Sequence, residues 1–262
     1  MERLLKSWKE SNQFLSLLSG LLTGFLLSDF LCFLSFTRLY SVEISIFFFL
    51  GWRDEKYTIY APRSGSRIAL QLERSGCQLF SFLTFGAHLT AYVIKDDQYH
   101  FWIPRRSSTK QTYPSMLDNT VGGGITAGES ARETIIRECF EEASLSEEVV
   151  LKGLRSTGLI SYAHKNSDGW VSVRPEVQYL YDLELSSNII PKSNDGESID
   201  YTLMSFDQLK ISLLDCSHEW KPNCALVLID FFIRHGLIDD ENEMDFMKIC
   251  LKLKEQIPLP GP

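Results

Sequence analysis

The chain has 262 residues, 44% of them hydrophobic and 12% aromatic, which is enough for one large or two small packed domains and too much for a disordered chain. Twenty-six Lys and Arg against 34 Asp and Glu give a formal net charge of -8, so no bulk field attracts a polyanion, and nucleic acid is disfavoured as a stable partner. The cysteines at 32, 77, 139, 216, 224 and 250 form no CxxC pair and no metal-finger spacing, which reads as reduced thiols of a cytoplasmic protein.

The first element is apolar. Phe14 to Phe36, FLSLLSGLLTGFLLSDFLCFLSF, is long enough to span a bilayer. Its serines, its two glycines and Asp29 count against a span, and apolar character resumes beyond Arg38 in SVEISIFFFLGW, as in successive buried elements. A membrane partner is therefore not favoured, and no small-residue cleavage site marks a secretory signal. With the turn signals of APRSGSR, residues 1–82 read as a small α+β N-terminal domain.

The rhythm changes in the second domain, residues 83–257. AHLTAYVI and YHFWIP are β-rich runs separated by KDDQ, a hairpin pattern, and YLYDLEL is a later strand with apolar or aromatic side chains at its odd positions. Helices are expected over Ser130 to Ala143, Asn223 to His235 and about Glu243 to Leu253, giving an α/β/α sandwich around a mixed sheet. PLPGP, residues 258–262, reads as a tail.

The central helix carries the chemistry. Ser130 and Glu133 form the S-x-x-E capping box, which sets the start of the helix. At about 100° per residue, Ile135, Ile136, Cys139, Phe140 and Ala143 share one broad face while Glu138, Glu141 and Glu142 gather on another. Carboxylates at i, i+3 and i+4 repel, and no neighbouring lysine explains them as ion pairs. Hard oxygen donors of this kind suit Mg²⁺ or Mn²⁺ together with the oxygens of a phosphorylated substrate.

Gly123, five residues, Glu129, seven residues, then REC-F-EEASL from Arg137 to Leu145 resembles the Nudix box, G-x5-E-x7-R-E-U-x-E-E-x-G-U. Every charged position matches. Cys139 stands at an apolar site and Ser144 where glycine is usual. The resemblance implies a loop, helix and loop that hold a divalent metal against a diphosphate, with Glu138, Glu141, Glu142 and Glu129 at the metal and Arg137 orienting a glutamate. Gly122, Gly123 and Gly124 would permit close backbone approach of metal or phosphate.

GWRDEKYTIY, LERSGCQLFSFLTFGAHLTAYV, RRSSTKQTYPSMLDNTVGGGI and KPNCALVLIDFFIRHG extend the likeness to the thiamine-pyrophosphokinase-related branch of Nudix hydrolases, which carries an N-terminal domain of its own. This likeness implies hydrolysis of oxidised or damaged thiamine diphosphate to the monophosphate and phosphate; an oxidised nucleoside diphosphate such as 8-oxo-dGDP and a non-catalytic binding module are the rival readings. Arg105, Arg106 and Lys110 follow a strand and are candidates for phosphate oxygens, and Tyr113, Trp102 and Trp170 are candidates to stack on a heteroaromatic ring. Glu197, in KSNDGES, is the candidate general base, ahead of Glu184 and Glu176. The histidines gain no role from sequence.

Overall fold

The computed structural model describes residues 52–61, 68–165, 173–254, 257 and 261–262. The apolar segment 14–36 and Trp170 lie outside the described residues; among those described, no helix is long and apolar enough to cross a membrane.

The described chain begins with an antiparallel hairpin, β1 (Lys56–Tyr60) and β2 (Ile68–Glu73), followed by a short helix α1 (Arg74–Leu79). The main sheet is formed by β3 (Thr84–Lys95), β4 (Gln98–Arg106), β5 (Val121–Gly124), β6 (Arg155–Lys165), β7 (Val173–Glu184) and β8 (Ser198–Ser205). Its order is β6-β7-β3-β4-β8, with β5 also pairing with β3. Only β3 and β7 run parallel, so the sheet is mixed as expected.

KDDQ makes the expected hairpin. Lys95 pairs with Gln98, leaving Asp96 and Asp97 as a two-residue loop with φ of 51° and 58°. Positive φ at both positions matches the right-handed twist of the strands, and aspartate tolerates it.

One edge of β3 is shared: Leu89 to Gly86 pair with Val121 to Gly124 of β5, and Tyr92 to Lys95 pair with β4. Thr120 fills the fork, its Oγ1 accepting the N–H of Ala91 at 2.9 Å and donating to the carbonyl of Trp102 at 2.7 Å. This fork brings the glycine strand β5 to the middle of the sheet.

Alternation along β3 sorts the layers. Ala87, Leu89, Ala91 and Val93 pack with Ile135, Cys139 and Ala143 of α2 (Ala131–Ala143) and Val150 of α3 (Glu147–Gly153). Tyr92, with Phe101 and Ile103 of β4, packs on the other face against Leu209 of α4 (Phe206–Asp215) and Leu228, Phe231 and Phe232 of α5 (Pro222–Arg234). Leu253 of α6 (Phe246–Leu253) closes that face with Ile160, Leu180 and Val227. The result is the expected α+β fold with helices on both faces of a mixed sheet.

Two side chains depart from expectation. Phe140 is 59% exposed, because it lies at the edge of the apolar arc of α2 while Ile135, Cys139 and Ala143 are fully buried. Trp102 belongs to the core on the α2 face and is no platform for a ligand ring. Because Ile135 is fully enclosed between α2 and the sheet, Ile135→Ala is expected to cost about 2–5 kcal/mol of stability, measured by urea unfolding.

Candidate active site

The helix that bears the carboxylates starts where the sequence places it. Ser130 is the N-cap; its Oγ accepts the N–H of Glu133 at 3.2 Å, and Glu133 Oε2 accepts the N–H of Ser130 at 2.8 Å. At the other end Ser144 takes the left-handed conformation, φ 54° and ψ 26°, in which glycine is usual. It makes use of its side chain: Oγ donates to the carbonyl of Lys192 at 3.0 Å.

Arg137 binds the acidic cluster from within. Its Nε and Nη2 donate to the two oxygens of Glu129 at 3.0 Å each, and its Nη1 donates to Glu138 at 3.1 Å and Glu141 at 2.7 Å. The bidentate fork explains why an arginine rather than a lysine stands here. Its hydrogen bond, helped by Thr134 Oγ1 at 2.9 Å, holds the Glu129 carboxyl below the usual range. The partner of Glu138 and Glu141 is thus an arginine and not a lysine.

Glu142 lies deeper. Its Oε2 accepts the backbone N–H of Gly122 at 3.0 Å, and burial raises its pKa well above the usual carboxylate value, with the negative charges of Glu138, Asp118 and Glu197 adding to the effect. Burial likewise lifts Glu138 to about 7, against the opposing pull of Arg137. Two desolvated carboxylates of one sign, of which only Glu138 meets the guanidinium of Arg137, fit a divalent cation bound through oxygen.

The glycines make this packing possible. A Cβ on Gly123 would lie 2.2 Å from Glu138 Oε1, one on Gly122 2.6 Å from His88 Nδ1, and one on Gly124 1.7 Å from the Tyr57 hydroxyl. Bare backbone is needed because carboxylates, an imidazole and a phenol all press on β5.

Glu197 comes from the opposite side, on the segment between β7 and β8. It forms an ion pair with Lys110, and its charge acts on both Glu138 and Glu142. Two sequence candidates 87 positions apart thus meet at the acidic cluster.

Arg105 and Arg106 part company because neighbouring residues of a strand face opposite ways. Arg105 is half-exposed and donates to the Ser115 carbonyl at 2.8 Å and to Glu219 at 3.2 Å. Arg106 is buried and fully engaged, with Asp118 at 2.5 Å and the carbonyls of Tyr113 and Thr112 at 3.0 Å each. It organises the 107–118 loop, which corrects its expected role as a phosphate ligand. Tyr113 sits at a loop corner with φ 51°, its carbonyl held by Arg106.

Sequence reasoning gave no role to His88, which the fold surrounds with Asp118 and Cys224, their donor atoms within 4.8 Å of one another. Asp118 also meets Lys221 Nζ at 3.3 Å and accepts Cys224 Sγ at 2.6 Å. Burial opposes its charge, but Lys221 and Arg106 outweigh burial and hold it far below the usual range. His88 is neutral: burial, then the charge of Lys221, lowers it to about 4. No spacing betrays this cluster, since its members come from β3, the β4–β5 connection and the start of α5. With two cations already on Asp118, it is a buried scaffold beneath β5.

Removal of Asp118 as Asp118→Ala is expected to cost about 3–5 kcal/mol in chemical denaturation, because Arg106 and Lys221 would be left buried without a counter-charge. The raised pKa values act in the opposite sense for the metal-free protein. A carboxyl with a folded pKa above its unfolded value contributes stability below the unfolded value, and this is lost as pH rises through the folded one. The metal-free melting temperature is therefore expected to fall between the usual carboxylate range and about 7, the value for Glu138. Glu142→Gln should flatten that decline in scanning calorimetry, since the amide carries no charge to desolvate.

Residues 86–224 match the NUDIX domain family model. An uncharacterized protein of Saccharomyces cerevisiae, YJR142W, is 39% identical over 220 residues, 80% of this chain and 63% of the relative. Nudix hydrolase 20, chloroplastic, of Arabidopsis thaliana is 36% identical over 192 residues, 73% of this chain and 50% of the relative. The chain thus spans less than two thirds of the length of either. Among solved structures, DR0079 of Deinococcus radiodurans is similar over 62% of this chain and 90% of its own, with 21% identity and a TM-score of 0.45. The family match takes in more than half of the chain and contains β5, the capped acidic helix and Glu197, and the chain belongs to the Nudix family.

Proposed function

We propose that this protein is a divalent-metal-dependent hydrolase of the phosphoric anhydride bond in small-molecule diphosphates. The observation that carries the reading is the pair Glu138 and Glu142, desolvated against the bare backbone of Gly122 and Gly123. Glu138, Glu142 and Glu141 would hold Mg²⁺ or Mn²⁺, with Glu129 assisting through the Arg137 fork. When bound, the metal neutralises charge that develops on the diphosphate and lowers the pKa of the attacking water.

The chain's own groups do the rest. Arg137 fixes Glu138 and Glu141 in one orientation, which limits the rearrangement that binding requires. Gly122 to Gly124 let Glu138, His88 and Tyr57 pack directly on the backbone of β5, which sets the position of the Glu138 carboxylate. Glu197 is the proposed base: it takes the proton of the attacking water at its carboxylate, and Lys110 positions it by their ion pair. Arg105, half-exposed on β4, is a proposed contact for an outer phosphate oxygen.

For the substrate we propose an oxidised or damaged thiamine diphosphate, on the strength of the sequence likeness to the thiamine-pyrophosphokinase-related branch. The compartment is proposed as cytoplasmic; the chloroplastic name of the Arabidopsis relative makes an organelle the alternative that fractionation would decide.

Purified protein with Mg²⁺ or Mn²⁺ is expected to release phosphate from such a compound faster than from thiamine diphosphate, 8-oxo-dGDP or ADP-ribose. Glu142→Gln should lower turnover about a hundredfold or more, since the metal supplies several kcal/mol of charge stabilisation. Preference for 8-oxo-dGDP would keep the mechanism and change the ring. Turnover of Glu142→Gln at the parent rate would remove the metal assignment, and a folded wild type that binds metal but hydrolyses nothing would make the protein a binding module.

A further inference from the structure

We infer that a cavity between β1, the main sheet and the first turn of α2 binds the planar aromatic ring of the substrate and admits one ring system rather than two nucleosides. The inference deepens the proposal above, taking from it only that the ligand carries a diphosphate.

The cavity has a volume of about 250 Å³, and its walls include Tyr57, Tyr60, Phe85, Ile125 and Tyr179. Ligand pockets for drug-sized molecules run to about 300–1,000 Å³, so this space suits a single mono- or bicyclic group. The walls are preset for a flat ligand: Tyr60 and Phe85 meet edge to face, with centroids 5.5 Å apart and planes at 89°. A flat ring stacked parallel to one of them turns its own edge toward the face of the other, an arrangement aromatic quadrupoles favour.

Two features connect this space to the acidic cluster. Glu129 and Ser130, at the start of α2, form part of the wall, and the same Glu129 anchors the Arg137 fork that holds Glu138 and Glu141. Gly123 of β5 lies against Glu138, and Ile125, two residues on and so on the same side of the extended chain, lies in the cavity wall. At roughly 3.4 Å per extended residue, Gly123 and Ile125 are about 7 Å apart, a separation comparable with a diphosphate and its ester link. A ligand running along that side of the chain thus places its ring at Tyr60, Phe85 and Tyr179 and its phosphates at the carboxylates.

Tyr57 and Tyr60 lie on β1, outside the stretch matched by the family model, which begins at residue 86. On this proposal β1 adds ring recognition to the acidic cluster, which lies within the matched stretch. Tyr60, Phe85 and Tyr179 are the stacking residues of this proposal, whereas Trp102 belongs to the core and Trp170 lies outside the described residues.

The test is equilibrium binding, kept apart from turnover. Metal-free wild type, Phe85→Leu and Tyr179→Leu are titrated with thiamine monophosphate and guanosine monophosphate by intrinsic fluorescence and calorimetry, with diadenosine tetraphosphate as the two-nucleoside comparison. Circular dichroism checks that the variants are folded, and binding of Mg²⁺ and inorganic pyrophosphate checks that their acidic cluster is intact. The expected result is binding of at least one monophosphate by wild type, weakened about tenfold in both variants, with pyrophosphate affinity retained. Folded variants that bind the monophosphates as wild type does, or a wild type that binds neither, would overturn the inference. So would tighter binding of diadenosine tetraphosphate than of both monophosphates. Hydrolysis by wild type, measured separately, reports on the metal-dependent reaction alone, so either reading can fail without the other.

Discussion

The site depends on one steric constraint: β5 must pass close enough to α2 for backbone to touch carboxylates. Three consecutive residues without Cβ atoms meet it. Gly122 donates its N–H to Glu142, Gly123 lies against Glu138, and Gly124 admits the Tyr57 hydroxyl. A side chain at any of the three would drive the strand from the helix or displace the group it touches. The fork filled by Thr120 presents β5 at that place, because β4 leaves β3 after four pairs and vacates the edge that β5 takes up.

Electrostatics then work against the fold and for the chemistry. Burial outweighs the contact of Arg137 at Glu138, and Glu142 has only the N–H of Gly122 to set against it, so ionising them in the metal-free protein is unfavourable, a penalty that the proposed divalent ion would offset. Asp118 shows the contrasting solution beneath the same strand. It is buried too, yet Arg106 and Lys221 satisfy it within the protein and it remains ionised. One carboxylate is closed by two cations of the chain and serves structure; the others, less fully matched, are the proposed ligands of an external cation.

The sequence made the local features legible and left the nonlocal ones obscure. The capping box, the two-residue turn at Asp96 and Asp97 and the helical spacing of the glutamates are encoded within a few residues, so pattern and propensity suffice. Arg106 was misassigned because Arg105-Arg106 looks like one basic patch until strand pairing turns one outward and the other inward to Asp118. The alternation itself was readable, but Asp118, twelve residues on, gave no sign of meeting it. His88, Asp118 and Cys224 converge from three separate elements, and no spacing rule links them. Phe140 marks the limit of the helical wheel, which gives the direction of a side chain but not where the packed surface ends.

Ser144 shows how a departure from the family pattern is absorbed. A serine in the left-handed region carries a steric penalty that glycine avoids, on the order of 1–2 kcal/mol. In return its hydroxyl binds the carbonyl of Lys192, while the Lys192 N–H binds the carbonyl of Ala143 at 2.9 Å and Asn194 Nδ2 that of Phe140 at 3.2 Å. These three bonds tie the C-terminal end of α2 to the segment that continues to Glu197. At its far end the Ser107 N–H binds the Glu197 carbonyl at 2.8 Å, so the segment is held at both ends. The proposed base is thereby referenced to the same helix as the proposed metal ligands, and a shift of α2 carries both. Glycine at 144 would relieve the backbone but give up the side-chain link, which makes serine a coupling element between helix and loop.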